Sequence, residues 1–495
     1  MCSSCRIVEK AGIEVATINE KVASSTRWTF ITEVMAKIVN PISNMILARL
    51  LAPEAFGVLA TVLMILSFAD MLADAGFQKY IIQKEFKDGI EREQSTLVAI
   101  WSNIALGCVL WIGVLVFQDK LASLVGNPGL GNVLAIAGIA IPLTSISSVQ
   151  LALLRRDFNF KALFVFRLCV IIVPLLITVP LAYFGYGYWS LIIGHIAAQA
   201  LLAITVTKYS EFHLRLYYNI NQLLDMLSFS IWTLIESIAI WLTSWVDIFI
   251  VSSFFTAHYL GLYRMSMVAV NGLLAVVSGA IVPVLYSALS RLQTDNEKFT
   301  DMFYYILKRT ALLVIPLGIG LYVYKDLARS ILFGAKWYEA DMMIGLWGLT
   351  SCLAILYCHF CSELYRAKGA PKVSFLAQVM HMAFLIPIMY YFSRSFEDLV
   401  YVRNLARLQF ILVHFLLVYI FFKVSPVRMF TITLPYIGSG VIMACFAYYS
   451  RSMISNVFYD YASILLCVLL YFGCLYLIQP ERKMLGEIIK KKSLY

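Results

Sequence analysis

The groups in this chain able to do chemistry are ionisable side chains set inside long apolar runs. Glu33 and Lys37 stand one helical turn apart, and Asp70, Arg167, Glu236, Asp247, Arg264 and Arg407 each interrupt an apolar stretch. A charge at the centre of a bilayer costs about 2.5–3.5 kcal/mol on insertion scales, so such residues usually face a bundle interior or a wet cavity. Lys37, Arg264, Arg167 and Arg407 are the candidate cavity cations, able to pair with an anionic group. Glu33, Asp70, Glu236 and Asp247 are the candidates for holding a coupling ion. Each has a plainer reading beside it: Glu33 and Lys37 have the order that favours an i,i+4 ion pair, while Asp247 and Arg264 lie near the ends of their segments.

Other reactive types carry less. Cys358-His359-Phe360-Cys361 has the spacing of a metal or redox site, but it sits in an apolar helix with no second pair of ligands nearby, so packing is favoured. Cys2 and Cys5 read the same way. His195, His359, His381 and His414 lie singly in separate apolar segments, where hydrogen-bonded packing is commoner than catalysis. No metal, cofactor or catalytic residue is expected.

The elements that position these groups follow from composition. With 61% hydrophobic and 14% charged residues and a mean hydropathy of +0.81, the chain is too apolar for a soluble globule. A helix needs about 20 apolar residues to cross hydrocarbon, and only closed backbone structure is tolerated there. About 14 such segments can be drawn, from 27–50 to 461–479. The first is the least obvious, because Glu33, Lys37, Asn40, Pro41 and Asn44 lower its hydropathy. Residues 1–26 have no apolar core, so no cleavable leader is expected. The net charge of +10 divides by side rather than pointing to nucleic acid: with the N-terminus inside, Lys and Arg favour the inner loops by roughly three to one, which places both termini in the cytoplasm. Arg155, Arg156, Lys161, Arg366, Lys368, Lys372 and the tail Lys490, Lys491, Lys492 are the main inner clusters, where anionic membrane lipids would also gather.

One corner organises the rest. Leu47-Ala48-Arg49-Leu50-Leu51-Ala52-Pro53-Glu54-Ala55-Phe56-Gly57 joins two apolar helices, with Pro53 where a helix may begin and Gly57 where a neighbour may come close. That stretch, followed by Ala73-Asp74-Ala75-Gly76-Phe77 and Ile82-Gln83-Lys84, resembles the opening of bacterial polysaccharide-export flippases, within the superfamily of multidrug, oligosaccharidyl-lipid and polysaccharide exporters. The similarity is close over residues 27–85 and looser to about residue 425.

A shift of 204 positions lays Trp28-Thr29 on Trp232-Thr233 and Phe56-Gly57-Val58 on Leu260-Gly261-Leu262, and brings Leu154-Arg155 near Tyr365-Arg366. An internal repeat of six spans results, with both copies entering the membrane in one direction. The expected fold is thus an all-α integral membrane protein: a tail at 1–26, an N-lobe at 27–214, a C-lobe at 215–425 set in a V against it, and two further spans with a basic tail at 426–495.

The resemblance implies a flippase that moves an undecaprenyl-pyrophosphate-linked oligosaccharide from the cytoplasmic to the periplasmic leaflet of the inner membrane by alternating access, for O-antigen, capsule or exopolysaccharide synthesis. It also implies proton or sodium coupling, as in some relatives, and partners among the glycan polymerase and glycosyltransferases of the same pathway. The physics agrees, since each unpaired hydroxyl taken into hydrocarbon costs roughly 4–8 kcal/mol and a hydrated route must be supplied. A multidrug or cation antiporter on the same fold is the first alternative. A membrane glycan polymerase or ligase is the second, but it would gather acid, base or nucleophile at one face beneath a large outer loop. The breaks near 78–93, 208–221, 286–300 and 324–340 are too short for that.

The topology has a direct check. Single cysteines at Asp119 and Asn296, treated with an impermeant thiol reagent on intact cells, should be labelled at 119 and spared at 296. The reverse pattern would overturn the orientation.

Overall fold

The computed structural model describes residues 3–210, 215–453, 457–478 and 481, the side chains of 3–23, 26, 229, 231, 232 and 457 excepted. The Cys2 and Cys5 pair, the Trp232 side chain and the tail lysines 490–492 lie outside the described residues. Among the described residues there are helices and no strands. In order they are α1 (Ser3–Leu50), α2 (Pro53–Asp74), α3 (Phe77–Gln83), α4 (Gly89–Val116), α5 (Gln118–Leu124), α6 (Gly131–Ala137), α7 (Ala140–Arg156), α8 (Phe160–Tyr183), α9 (Tyr188–Tyr209), α10 (Ile220–Phe254), α11 (Ala257–Arg291), α12 (Asn296–Val323), α13 (Lys325–Leu332), α14 (Asp341–Ala354), α15 (Phe360–Ala367), α16 (Pro371–Phe392), α17 (Phe396–Phe422), α18 (Pro426–Met453) and α19 (Val457–Leu477). A π-helical turn, Ile355–His359, joins α14 to α15. Cys358 and Cys361, on this turn and the helix after it, are buried as free thiols.

Among the described residues 13 helical stretches are long and apolar enough to cross a membrane, so this is a multi-pass membrane protein. The fourteenth expected span belongs to α1, whose polar residues at 33, 37, 40 and 44 keep it outside that set. Length is not the obstacle: 48 residues make about 72 Å of helix, against a hydrocarbon core of about 30 Å. Residues 1–26 are expected to form a separate tail, but from Ser3 onward they continue the same helix.

Packing divides the chain into two compact units, Met1–Gly261 and Leu262–Tyr495. The repeat draws its boundary at 214/215, whereas packing keeps α10 with the first unit, against α2 and α3. Within that unit α8 lies along α1 and α9, and α7 along α4 and α9. Val62, Leu66, Leu134 and Ile141 are at most 2% exposed at its centre. In the second unit α12 packs on α14 and α18, and α16 on α17. Arg451 ties α18 to its neighbours, at 2.6 Å from Asp326 and 2.9 Å from Asp460.

The corner near Pro53 is built on a close approach. A methyl group at Gly57 would fall 1.8 Å from the Ala257 carbonyl oxygen, and one at Gly261 would fall 1.8 Å from that of Pro53. Glu54 and His258, whose Oε1 and Nδ1 are 2.7 Å apart, are separated by 204 positions in the chain. The same offset relates Pro53 to Ala257 and Gly57 to Gly261. Each residue therefore meets its own repeat counterpart or that counterpart's neighbour, the reciprocal contact a two-fold relation produces. Only glycine permits it at 57 and 261.

Overpacking a tight contact typically costs about 1–3 kcal/mol. Gly57→Ala and Gly261→Ala should each lower the melting temperature of the purified protein by several degrees. Gly438→Ala, where a methyl meets no atom within 4 Å, should not. Equal melting temperatures for the three would refute the close approach.

Candidate functional site

Two polar cavities lie within the first unit, and their formation starts at the break that ends α2. Ala75 and Gly76 both take left-handed backbone angles (φ 45° and 84°), and the Ala75 N–H closes the helix on the Met71 carbonyl at 3.3 Å. A side chain at Gly76 would strike Thr233 Oγ1 at 2.2 Å, so α10 can pass close only because residue 76 is glycine. The Ala-Asp-Ala-Gly-Phe motif is thus a sharp stop that leaves Asp70 and Asp74 on one face of the last turns of α2.

The first cavity, about 350 Å³, is walled by Asp70 and Asp74 of α2, Asn103 of α4, Thr144 and Ser148 of α7, and Ser237 of α10. Its hydroxyl donors point away from it. Thr144 and Ser145 donate to the carbonyls of Ala140 and Ile141 at 2.9 and 3.0 Å, Ser148 to that of Ser145 at 3.3 Å, and Ser237 to that of Thr233 at 2.8 Å. Asn103, 1% exposed, donates its amide to Ser148 Oγ at 2.6 Å, and Asp74 Oδ1 accepts the Gln78 N–H at 3.4 Å. Asp70 Oδ1 and Asn103 Oδ1 are buried and have no hydrogen-bond partner.

The second cavity, about 480 Å³, lies among α1, α7, α8 and α9, and its polar lining includes Thr29, Thr32, Glu33, Arg155, Arg167 and Gln199. Both threonines donate back to helix carbonyls at 2.8 Å. Arg155 reaches Gln78 Oε1 at 3.2 Å. Among the described residues neither Arg155 nor Arg167 has a carboxylate partner. Arg156, its neighbour, does different work: one guanidinium nitrogen spans the carbonyls of Ile81 and Lys84, each at 2.6 Å, and so caps the C-terminal end of α3.

The structure sorts the expected site residues accordingly. Asp70 enters the first cavity, and Glu33 and Arg167 share the second. Lys37 is half-buried on α1, lines neither, and forms no ion pair with Glu33. Glu236 is spent on Lys79 at 2.7 Å in an exposed bridge between α10 and α3. Asp247 is buried and accepts the Ile248 N–H at 2.8 Å. Arg264 is half-buried on α11. Arg407 lies over the Trp347 ring at 3.9 Å, with Arg403 over the same indole at 5.0 Å. His381 and His414 are packing residues, hydrogen-bonded to Gln409 and Tyr365 at 3.2 Å each. In the second unit a cavity of about 530 Å³ is apolar, with Ile315, Leu353, Phe415 and Phe430 in its wall. Sequence reasoning missed Asn103, Arg155 as a cavity residue, and the polar stripe Thr144-Ser145-Ser148. The stripe's three- and four-residue spacing inside an apolar run was the available signal.

The sequence model of the family described as "Polysaccharide biosynthesis protein" matches residues 46–341. The chain belongs to that family. Among relatives, the succinoglycan biosynthesis transport protein ExoT of Rhizobium meliloti is 26% identical over 339 residues, covering 68% of this chain and 67% of its own. The lipopolysaccharide biosynthesis protein WzxC of Escherichia coli is 24% identical and the teichuronic acid biosynthesis protein TuaB of Bacillus subtilis 21%, covering 75% and 72% of this chain and 75% and 74% of their own. A solved structure titled lipid II flippase MurJ, inward closed conformation, superimposes with a TM-score of 0.72 at 16% identity, over 91% of this chain and 98% of that one. An inward-facing multidrug resistance MATE family transporter gives 0.52 at 12% identity, over 82% and 99%. These two place the chain in the same all-helical fold.

The two adjacent arginines should separate experimentally. Hydrogen bonds from a charged group contribute about 1.5–3 kcal/mol, so Arg156→Ala should lower the melting temperature of the purified protein by several degrees. Arg155→Ala, which loses one longer, exposed hydrogen bond to Gln78, should lower it much less. Equal losses would show that Arg155 is also a structural cap.

Proposed function

We propose that this protein is a flippase that carries a lipid-linked oligosaccharide across the bacterial inner membrane. The observation that carries the reading is the second cavity, with two arginines that lack carboxylate partners beside Glu33 and Gln199. Guanidinium groups pair strongly with phosphate oxygens, while a carboxylate and an amide can take up sugar hydroxyls. A pyrophosphate carrying a glycan offers both, and an undecaprenyl chain is the lipid we assign to it.

Arg155 closes α7, Arg167 stands near the start of α8, and Glu33 lies toward the N-terminal side of the first span. With both termini cytoplasmic, this cavity loads from the cytoplasmic leaflet and the cargo is released at the periplasmic one. Alternating access, rather than bond chemistry, accounts for the activity, and relatives named as a transport protein and a glycan biosynthesis flippase support a transporter over an enzyme. Glycosyltransferases that build the cargo and a polymerase that consumes it are the partners this reading requires.

Each arginine is exposed rather than enclosed, so its contribution falls at the low end of the charged hydrogen-bond range, near 1.5 kcal/mol or about tenfold in affinity. Arg155→Ala and Arg167→Ala should each cut polysaccharide export about tenfold at equal membrane abundance, and the double variant more. Lys372→Ala, at the start of α16 and away from this cavity, should export normally. Unchanged export by the double variant would remove this cavity from the transport path.

A further inference from the structure

We propose that the apolar groove of the second unit seats one acyl chain of a bilayer phospholipid, with Lys325 at its mouth holding the lipid's anionic head group. That lipid is a constituent of the membrane and not the cargo, so the inference goes beyond the transport reading and does not depend on it.

The groove exists because two consecutive helices part. α18 packs on α12, and α17 on α14, whereas α17 and α18 meet only slightly. Their connection is pinned at one end: Lys423 takes a left-handed backbone (φ 58°), and the Ser425 N–H donates to Tyr304 Oη of α12 at 3.1 Å. The space left between them is the cavity of about 530 Å³. Its floor is closed, with Ile315, Cys352 and Tyr357 at most 3% exposed. Its rim is open, since Val441 is 52% and Leu412 66% exposed although both stand in the middle of membrane-spanning helices.

The lining decides what fills it. Of its side chains only those of Tyr322, Tyr357, Cys352 and Cys445 carry a polar atom. The Tyr357 hydroxyl is committed to Thr433 at 2.6 Å, and a free thiol behaves as a small hydrophobe. Water gains little against such a wall, and a wall with nothing against it loses its dispersion contacts. Hydrocarbon avoids both costs. The shape is that of a chain: Phe430 and Cys445, the first and last α18 residues in the wall, are separated by about 22 Å at about 1.5 Å per residue, within a hydrocarbon core about 30 Å thick.

A lysine marks the mouth. The Lys325 ammonium lies 5.4 Å from the centre of the Tyr322 ring and 3.6 Å from Met342 Sδ. A methyl group at Gly345 would fall 3.1 Å from the lysine's stem, which therefore lies along α14. Met342, Gly345, Leu349 and Leu353 are spaced three and four apart on one face of that helix, so the bed of the lysine runs on into the groove wall. The carboxylates around it are engaged, Asp341 with Arg329 and Asp326 with Arg451, each at 2.6 Å. Among the described residues Lys325 has no carboxylate partner. An ammonium held by its stem above an apolar trough complements a phosphate carried on hydrocarbon. One lysine matches the single charge of a phosphodiester better than it matches a pyrophosphate. With both termini cytoplasmic the mouth faces the periplasmic leaflet, opposite the side where the cargo loads, which favours a phospholipid over the cargo's own chain.

The test uses the purified full-length protein in detergent, freed of native lipid, titrated with dioleoylphosphatidylglycerol or dioleoylphosphatidylcholine and read by native mass spectrometry and melting temperature. Phosphatidylglycerol should bind about fivefold more tightly than phosphatidylcholine, the equivalent of about 1 kcal/mol for one lysine facing an anionic lipid, and should raise the melting temperature. Lys325→Gln should abolish that preference and leave phosphatidylcholine binding as it was. Ala444→Phe, which fills the groove from α18, should weaken binding of both lipids at least tenfold, and Leu412→Trp at the exposed rim serves if Ala444→Phe does not fold. Lys120→Gln, on α5 of the first unit, should change neither. Equal affinity of the unaltered protein for the two lipids, a preference that survives Lys325→Gln, or binding undiminished in the filled groove would each overturn the proposal. So would displacement of phosphatidylglycerol by an equal concentration of undecaprenyl phosphate, which would assign the groove to the cargo's chain. Because binding is read without transport, its failure is distinguishable from failure of the flippase reading.

Discussion

Hydrocarbon offers no hydrogen bonds, so a polar group in a membrane-spanning chain has to find its partner inside the protein. Most of this structure can be understood as the working out of that constraint. Serine and threonine side chains turn back onto the carbonyl one turn earlier, as Thr61 does on Gly57 at 3.2 Å. Where α3 ends and its carbonyls have no helical successor, Arg156 supplies the donor. Tyr365 Oη lies 3.2 Å from both Nδ1 and the carbonyl of His414 deep in the second unit. Asp70 Oδ1 and Asn103 Oδ1, which line the cavity at the end of α2, are among the buried side-chain atoms left without a hydrogen-bond partner.

The same constraint explains why helix backbones come together where they do. Helices in lipid gain little from burying apolar surface against one another, so small residues that allow close backbone approach become the means of association. Gly57 and Gly261 are the sharpest case: two carbonyl oxygens occupy the space that side chains would take. The contact obeys the offset of the internal repeat, so one glycine-bearing motif, used twice, makes both halves of it. Gly76 does something different. It lets the chain stop abruptly and lets α10 pass beside the stop, which leaves the acidic turn of α2 facing a cavity instead of a packed neighbour.

The two cavities differ in chemistry although they share α7. One presents acceptors and carboxylates, the other arginines with a carboxylate and an amide. Such a division would suit the anionic cargo proposed for this protein, because it keeps the acidic groups apart from the arginines. Gln78 stands between them, lining the acidic cavity and accepting from Arg155 of the basic one, so a change in either can be felt by the other through a single hydrogen bond.

The all-helical fold, the spans, the corner motif and the family resemblance were legible in the sequence, because hydropathy and the positions of proline and glycine are local properties. The choice of charged residues worth attention was legible too, since a charge in an apolar run is conspicuous. What the sequence left open was which of them meet. The four-residue spacing of Glu33 and Lys37 puts them on one side of α1, yet they do not pair: Trp28 packs on Phe164 with ring centroids 5.2 Å apart, α1 lies along α8, and Glu33 shares its cavity with Arg167 instead. Arg155 and Arg156 read identically as inner-loop cations, but one faces a cavity and the other caps a helix. Helical periodicity fixes the face on which a side chain emerges. Only packing between distant helices decides what that face meets.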